Sequence, residues 1–223
     1  QDLLANISHD LKTPLTIIKS YAELIKDITG DNKAKREEQL DVIIDEAKRL
    51  TELVNEILVV SQQNSTSKLN KTDFDFSELV ESVVKKFDFD NSGYNFRRDV
   101  KKGLWVNADR HKIEQVLFNF ISNAVKYCGK DKEIIIVVKE AGGSARFDVF
   151  DHGNGISKQE QKYIWDRFSR ASQKYKRGDS TGLGLSIVRS ILKSHDAVFG
   201  VNSSVGKGSD FYFELPLVEP PQN

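Results

Sequence analysis

The sequence predicts two domains, a helical hairpin at residues 1–63 and an α+β sandwich domain at residues 72–219. In the first segment apolar residues recur every three or four positions, the spacing of a helix face that packs in a bundle. Residues 64–71 are polar and aperiodic, which predicts a hinge linker, and residues 220–223 are expected to be a tail. After the linker, short β-forming runs alternate with helical stretches, which favours helices packed on one face of a mixed sheet.

Composition excludes several classes of protein. Lys plus Arg and Asp plus Glu both number 33, and this balance argues against a broad nucleic-acid or anionic-membrane surface. The longest aliphatic run, 134–138, is far too short to span a bilayer. The single cysteine, Cys128, excludes an intrachain disulfide and a thiolate metal cluster, and the four histidines are too scattered to indicate zinc. Because the chain has no methionine and begins within an apolar-periodic segment, we expect the C-terminal piece of a longer protein.

The hairpin follows from two apolar seams separated by a turn at residues 29–32. The first seam contains Leu4, Ile7, Leu11, Ile18, Tyr21, Ile25 and Ile28, and the second contains Leu40, Ile43, Ala47, Leu50, Val54 and Ile57. Two helices cannot hide both seams from water by themselves. The sequence therefore predicts a dimer that forms a four-helix bundle.

His9 is the candidate nucleophile of the hairpin, since a neutral imidazole can attack an electrophile. The seam count places His9 opposite the seam, in solvent. From this segment alone, an ordinary surface histidine is an equally good interpretation. Pro14 cannot donate a hydrogen bond to the carbonyl of Asp10, so we expect the helix to bend one turn after His9.

Strands and helices are predicted in alternation after the linker. The predicted strands are 73–76, 105–107, 134–139, 145–150, 198–202 and 211–215. The predicted helices are 77–87, 109–126, 158–168 and 182–194.

Two motifs in this part of the chain suit a nucleotide. Asn119 and Asn123 lie four residues apart on one helix face and offer neutral oxygen ligands, which magnesium accepts together with phosphate and water. Asp151 ends a strand beside Gly153 and Gly155. A plain tight turn is one interpretation, and the other is a carboxylate that accepts a hydrogen bond from an exocyclic amine of a base.

Two further stretches suit phosphates. The segment 164–179 is predicted to be either a helix end with a disordered loop or a mobile lid that carries cations, namely Arg170, Lys174, Lys176 and Arg177. Glycines at 182 and 184 open a helix, and the free N–H groups of a helix N-terminus suit an anion. The chain contains neither a P-loop nor a dinucleotide fingerprint.

Order and spacing together make the chain resemble the sensor histidine kinases of two-component systems. Residues 6–15 resemble the H-box of that family, 119–127 the N-box and 151–156 the first glycine box. Residues 165–168 are similar to the F-box, 181–185 to the second glycine box and 206–211 to the closing strand signature.

The resemblance implies a dimerisation and histidine-phosphotransfer hairpin, followed by a catalytic ATP-binding domain of the Bergerat type. It implies that His9 is the phosphoacceptor, that Asp10 holds one ring nitrogen, and that Thr13 supports hydrolysis of the partner's phosphoaspartate. Asn123 would bind Mg²⁺ with Asn119 in support. The other expected ATP-binding residues are Lys126 and Arg170 at the phosphates, Tyr127 near the nucleoside, Asp151 at the adenine amine, and Gly153, Gly155, Thr181, Gly182, Leu183, Gly184 and Leu185 in the two glycine boxes.

The function implied is ATP-dependent autophosphorylation of His9, followed by transfer to an aspartate of a separate response regulator. The expected partners are a second copy of the chain and a receiver domain, with no nucleic acid and with membrane contact only through segments outside this chain. The expected location is the cytoplasmic portion of a membrane-anchored sensor kinase. Two alternatives are a Bergerat ATPase that drives conformational change, which usually has a catalytic glutamate where Asn119 stands, and a dimerisation scaffold with a degenerate nucleotide site.

Overall fold

The computed structural model describes residues 2–63, 69–90, 93–166 and 184–221, with the side chains of 2–10, 48–49, 51–63 and 88–90 outside the description. The chain divides into two compact units, Gln1–Thr66 and Ser67–Asn223. Among the described residues, no helix combines the length and the apolar character needed to cross a bilayer.

The first unit is the predicted helical hairpin. Helix α1 spans Asp2–Leu24 and continues as a π-helical turn over Ile25–Thr29, and helix α2 spans Lys33–Gln63. The connection is fixed by polar contacts, because the hydroxyl of the buried Thr29 lies 2.5 Å from Gln39 Oε1 and Arg36 donates to the carbonyl of Gly30 at 2.6 Å. The side chain of Asn32 accepts from the amide of Lys35 at 3.2 Å and so caps the start of α2.

The apolar seams of the hairpin are only partly covered within one chain. Pro14 lies inside α1 and is buried. In contrast, large apolar side chains stay exposed on both helices: Leu15 at 51%, Ile28 at 74%, Leu40 at 41% and Ile44 at 50%. Ile28 was assigned to the seam, yet it is among the most exposed apolar residues described, because it lies in the π-helical turn that ends the helix.

The described part of the second unit contains two sheets and three α-helices. Its strands are β1 Thr72–Asp75, β2 Asn95–Val100, β3 Trp105–Ala108, β4 Glu133–Ala141, β5 Ser144–Asp151, β6 Val198–Ser203 and β7 Ser209–Pro216. Its helices are α3 Phe76–Asp90, α4 Arg110–Tyr127 and α5 Gly184–Ser194. A two-stranded sheet pairs β1 with β3, and a five-stranded sheet has the order β2-β4-β5-β7-β6. The larger sheet is mixed, since β2 runs parallel to β4 and the remaining pairs are antiparallel.

The core of this unit lies between the helices and one face of the five-stranded sheet. Every second side chain along β4 and β5 is buried and faces the helices, namely Ile134, Ile136 and Val138 of β4 and Ala145, Phe147, Val149 and Asp151 of β5. Aromatic rings pack between the helices and the sheet. The ring centroids of Phe76 in α3 and Phe213 are 5.7 Å apart, and those of Phe120 in α4 and Phe211 are 5.4 Å apart. The predicted α+β architecture with helices on one face of a mixed sheet is therefore confirmed.

Two elements differ from the sequence prediction. The expected helix at 158–168 is instead a short 3₁₀ turn, Glu160–Lys162, followed by irregular turns as far as Asp166. Trp165 packs among the rings of Phe199 at 5.1 Å and Phe211 at 6.0 Å, and this tertiary contact replaces a continuous helix. The strand β2 was missed, because four of its six side chains are exposed and its sequence shows little alternation.

Candidate nucleotide-binding site

Helix α4 carries the two asparagines of the site. The carboxylate of Asp109 caps its N-terminus by accepting from the amide of Lys112 at 3.3 Å, and it also accepts from the amide of Asn70 at 3.2 Å. One face of α4 is buried against the sheet. Asn119 and Asn123 are both half-buried and lie one turn apart at the margin of that face.

Asn119 connects α4 to the first residue of α5. Its amide nitrogen donates to the carbonyl of Gln115 at 2.9 Å, which fixes the orientation of the carboxamide. A Cβ built on Gly184 would stand 2.6 Å from the Asn119 oxygen, so glycine is needed at this approach. The start of α5 therefore lies directly against Asn119.

Asn123 presents a half-buried carboxamide on α4, one turn after Asn119. Within the described part of the chain, no side chain or backbone group forms a hydrogen bond with its half-buried carboxamide. Among the described His, Cys, Asp and Glu residues, one cluster could hold a metal ion, namely Asp131, Glu133 and His152. A magnesium ion here would take few protein oxygens and complete its shell with phosphate and water, which is its usual preference.

Asp151 is a buried carboxylate at the end of β5, 5% exposed. One of its oxygens accepts from the amide of Gly153 at 2.8 Å. Burial raises the pKa of Asp151, while the amides of Gly153 and Ser209 partly offset that effect by favouring the charged form. The result is a fixed acceptor with little solvent around it, which can bind an exocyclic amine.

The loop after β5 is held by close backbone approaches that only glycine permits. A Cβ at Gly153 would overlap the carbonyl oxygen of Tyr127 at the end of α4. Gly155 has a φ of +67° and approaches the carbonyl of Ser204. Beyond it, the amide of Ile156 donates to the hydroxyl of Ser203 at 2.8 Å. The loop is thus wedged between α4 and the turn that joins β6 to β7.

The remaining described candidates lie around these elements. Lys126 and Tyr127 are exposed in the last turn of α4, with the Lys126 ammonium 5.6 Å from the Tyr127 ring. Gly184 and Leu185 form the first turn of α5 and are half-buried. The structure therefore brings Asn119, Tyr127, Asp151, Gly153 and Gly184 to neighbouring parts of the second unit.

Other candidates fall partly or wholly outside the described residues. His9 and Asp10 belong to α1, but their side chains are among those that the structure does not describe. The solvent exposure of His9 therefore stays a prediction. Thr13 is exposed one helical turn after His9. Arg170, Thr181, Gly182 and Leu183, together with the rest of the predicted lid from 167 onward, lie in the segment 167–183, outside the description.

Three polar contacts near the site were not predicted from the sequence. Arg189 of α5 donates to Asp166 at 2.6 Å. The buried His195 accepts from the amide of Asp109 at 3.0 Å through Nε2. Next to Asp151, His152 pairs with Asp131 at 2.6 Å, and this contact lowers the pKa of Asp131. Partners so distant in sequence leave no local signal.

Comparison with family models defines the class of protein. Residues 108–219 match the family model described as histidine kinase-, DNA gyrase B- and HSP90-like ATPase, and residues 1–66 match the His Kinase A phospho-acceptor domain. The second match is what separates this chain from the gyrase and HSP90 branches. The chain belongs to the sensor histidine kinases of bacterial two-component systems.

The individual relatives agree with that class. The sensor protein SrrB of Staphylococcus aureus is 34% identical over 98% of this chain, which spans 38% of the length of SrrB. The histidine kinase AdeS of Acinetobacter baumannii is 25% identical with a TM-score of 0.74, covering 95% of this chain and 98% of AdeS. The histidine kinase ThkA, in a crystal structure with the response regulator protein TrrA, is 25% identical with a TM-score of 0.79, covering 98% of this chain and 62% of that one.

Proposed function

We propose that this chain phosphorylates His9 from ATP and passes the phosphoryl group to an aspartate of a separate response regulator. One observation carries the proposal: a phospho-acceptor hairpin that contains His9 is joined, in one chain, to a domain whose buried Asp151 and wedged glycine loop suit a purine nucleotide. The residue roles below are parts of the proposal.

In the proposed reaction, a ring nitrogen of neutral His9 attacks the γ-phosphorus of ATP. The P–N bond forms, the bond to the bridging oxygen of ADP breaks, and the proton of the attacking imidazole passes to solvent. Asp10 orients the ring by accepting a hydrogen bond from the other nitrogen. Asn123 would hold a magnesium ion, with Asn119 in support, and the bound ion would neutralise charge at the phosphates.

The remaining residues bind and orient ATP. Asp151 accepts a hydrogen bond from the adenine amine, and Gly153 and Gly155 let the backbone approach the base. Tyr127 packs near the nucleoside. Lys126 and Arg170 neutralise phosphate charge, while Thr181, Gly182, Leu183, Gly184 and Leu185 bind the phosphates. Such positioning and neutralisation account for most of the catalysis of phosphoryl transfer.

The proposed partners are a second copy of this chain and a receiver domain. Exposed Leu15, Leu40 and Ile44 on the hairpin support dimerisation, because a four-helix bundle would cover them. The similarity to ThkA, which was crystallised with a response regulator, supports the second partner. In sedimentation experiments, Ile44→Glu should therefore weaken dimerisation. A variant dimer as stable as that of the unaltered chain would argue against this bundle.

Two finer points belong to the same proposal. Thr13 is exposed one turn after His9, where its hydroxyl can orient a water toward the phosphoaspartate of the regulator, so phosphatase activity is proposed as well. ATP and receiver domains are both found in the cytoplasm, and we therefore propose that this portion of the protein functions there.

The experiment that tests the function is incubation with magnesium and ATP labelled in the γ-phosphate. We expect label on the protein that survives alkali, is lost in acid and is absent from His9→Ala. His111→Ala is the matched control, because His111 is an exposed histidine on α4, and its labelling should equal that of the unaltered chain. Label that persists in His9→Ala would disprove the assignment of the phosphoacceptor.

A further inference from the structure

An ion pair at the surface of the second unit joins α5 to the residue that follows Trp165. Arg189 Nη1 and Asp166 Oδ1 are 2.6 Å apart, and the two side chains are 40% and 53% exposed. In sequence, the pair brackets residues 167–183, which contain Arg170 and the first three residues of the second glycine box. It connects the residue before that segment to the helix that follows it.

The Asp166 end of the pair is rigid. Trp165 packs edge-on against the rings of Phe120 at 6.3 Å and Phe199 at 5.1 Å, and Ile164 is buried beside it. The amide of Asp166 donates to the carbonyl of Tyr163 at 2.9 Å. The carboxylate therefore projects from a part of the chain that the aromatic core holds in place.

The Arg189 end lies on a helix whose position along its axis matters for the site. The buried face of α5 is apolar, formed by Ile187, Val188, Ile191 and Leu192, and apolar contacts are non-directional. At the first residue of the helix, Gly184 lies so close to Asn119 that a Cβ would stand 2.6 Å from its oxygen. A small displacement of α5 along its axis would therefore change the contact with Asn119.

We infer that Asp166 and Arg189 are positioning residues for ATP, which set the place of the α5 N-terminus beside Asn119. A charge-assisted hydrogen bond is directional and so supplies the constraint that the apolar face of α5 lacks. The inference rests on the proposed function, because it assumes that the α5 N-terminus faces the phosphates. Neither side chain touches ATP in this account, and each acts through α5.

The test measures ATP affinity by titration and the KM and kcat of autophosphorylation separately. Asp166→Asn and Arg189→Gln should each weaken ATP binding and raise KM about two- to fivefold, as expected for an exposed pair, with kcat little changed. The double neutral variant should be no worse than either single variant. The exchange of charges, Asp166→Arg with Arg189→Asp, should return KM to within about twofold of the unaltered chain.

The matched control is Lys101→Gln, which removes the ion pair with Glu140 at 2.5 Å, where the side chains are similarly exposed at 54% and 47%. That variant should leave KM unchanged. Unchanged ATP affinity in both single variants, an equal effect in Lys101→Gln, or no rescue by the exchanged pair would each overturn the inference. If the unaltered chain binds ATP without forming phosphohistidine, the proposed function fails, and the titration still tests the positioning role.

Discussion

Two buried aspartates on strand β5 offer a test that separates binding from stability. Asp148 and Asp151 are 1% and 5% exposed and, three residues apart in one strand, they point to opposite faces of the sheet. Asp151 lies at the proposed adenine site and accepts from the amide of Gly153. Asp148 lies on the other face, 2.7 Å from Arg146 and 3.5 Å from Lys139.

Asp151→Asn is expected to weaken ATP binding roughly tenfold to hundredfold. The substitution keeps the shape of the side chain but removes the charge, and a hydrogen bond to a charged acceptor contributes about 1.5–3 kcal/mol. The free energy of unfolding, in contrast, should rise in Asp151→Asn. Burial raises the pKa of Asp151, so its ionisation at neutral pH opposes folding, and that penalty grows as the pH rises above the ordinary range of an aspartate. A neutral asparagine removes the penalty.

Asp148→Asn is expected to show the opposite behaviour. The guanidinium of Arg146 would lose a charged partner but keep Glu214 at 2.8 Å, and the expected loss is about 1–3 kcal/mol of unfolding free energy. For a unit of this size the thermal midpoint should fall by about 2–4 °C per kcal/mol. ATP affinity should not change, because Asp148 lies across the sheet from the site.

Calorimetric titration with ATP and thermal unfolding at pH 7.5 measure both quantities on the same samples. We expect the two variants to affect different quantities: ATP affinity falls only in Asp151→Asn, and the thermal midpoint falls only in Asp148→Asn. Equal ATP affinity in Asp151→Asn and the unaltered chain would refute the assignment of Asp151 to the adenine. A fall in thermal midpoint for that variant would refute the argument from burial.

Two more predictions concern Gly153 and His195. Gly153→Ala should lower ATP affinity and cost about 1–3 kcal/mol of stability, because its Cβ would overlap the carbonyl of Tyr127. In the matched control Gly93→Ala, the new Cβ would meet only the flexible Lys132 ammonium at 3.6 Å. ATP titration and thermal unfolding of Gly93→Ala should therefore show unchanged affinity and unchanged stability. Burial lowers the pKa of His195, so stability should fall as the pH drops below about 6.5, where the unfolded chain takes up the proton first. Melting from pH 7.5 to 5.5 should show a shallower fall in the thermal midpoint for His195→Gln than for the unaltered chain. Equal slopes in the two proteins would contradict the argument from burial.

The sequence predicted the elements whose local pattern matches their structure. Helix α4 was expected at 109–126 and is found at Arg110–Tyr127, because its apolar face repeats with the helical period and Asp109 supplies a cap. The sequence also singled out the loop after β5 by Gly153 and Gly155, where the structure shows close backbone approaches. The binding of a base by this loop stays a prediction. These are the parts of the site that depend on residues close together in the chain.

The parts that sequence did not predict depend on distant partners. Strand β2 is recognisable only from its parallel pairing with β4. The partner of Asn95 in that pairing is Glu133, which lies 38 positions further along the chain. The contact of His195 with the amide of Asp109 joins residues separated by 86 positions. The prediction of a helix at 158–168 was wrong for the same reason. The local pattern includes a helix cap, in which Ser157 and Glu160 each accept from the amide of the other, but the aromatic contacts of Trp165 override it.

The adenine side of the proposed site is formed by packing before any nucleotide arrives. Gly153 approaches Tyr127, Gly155 approaches Ser204, and Gly208, with a φ of +77°, approaches the carbonyl of Asp151. Each contact is between backbone atoms that cannot move apart cheaply, so these glycines provide close packing instead of flexibility. Asp151 is therefore held in place by its own neighbours, and ATP would bind without paying to order it. Glycine-rich loops are often taken as flexible, but here the glycines make this side of the site rigid.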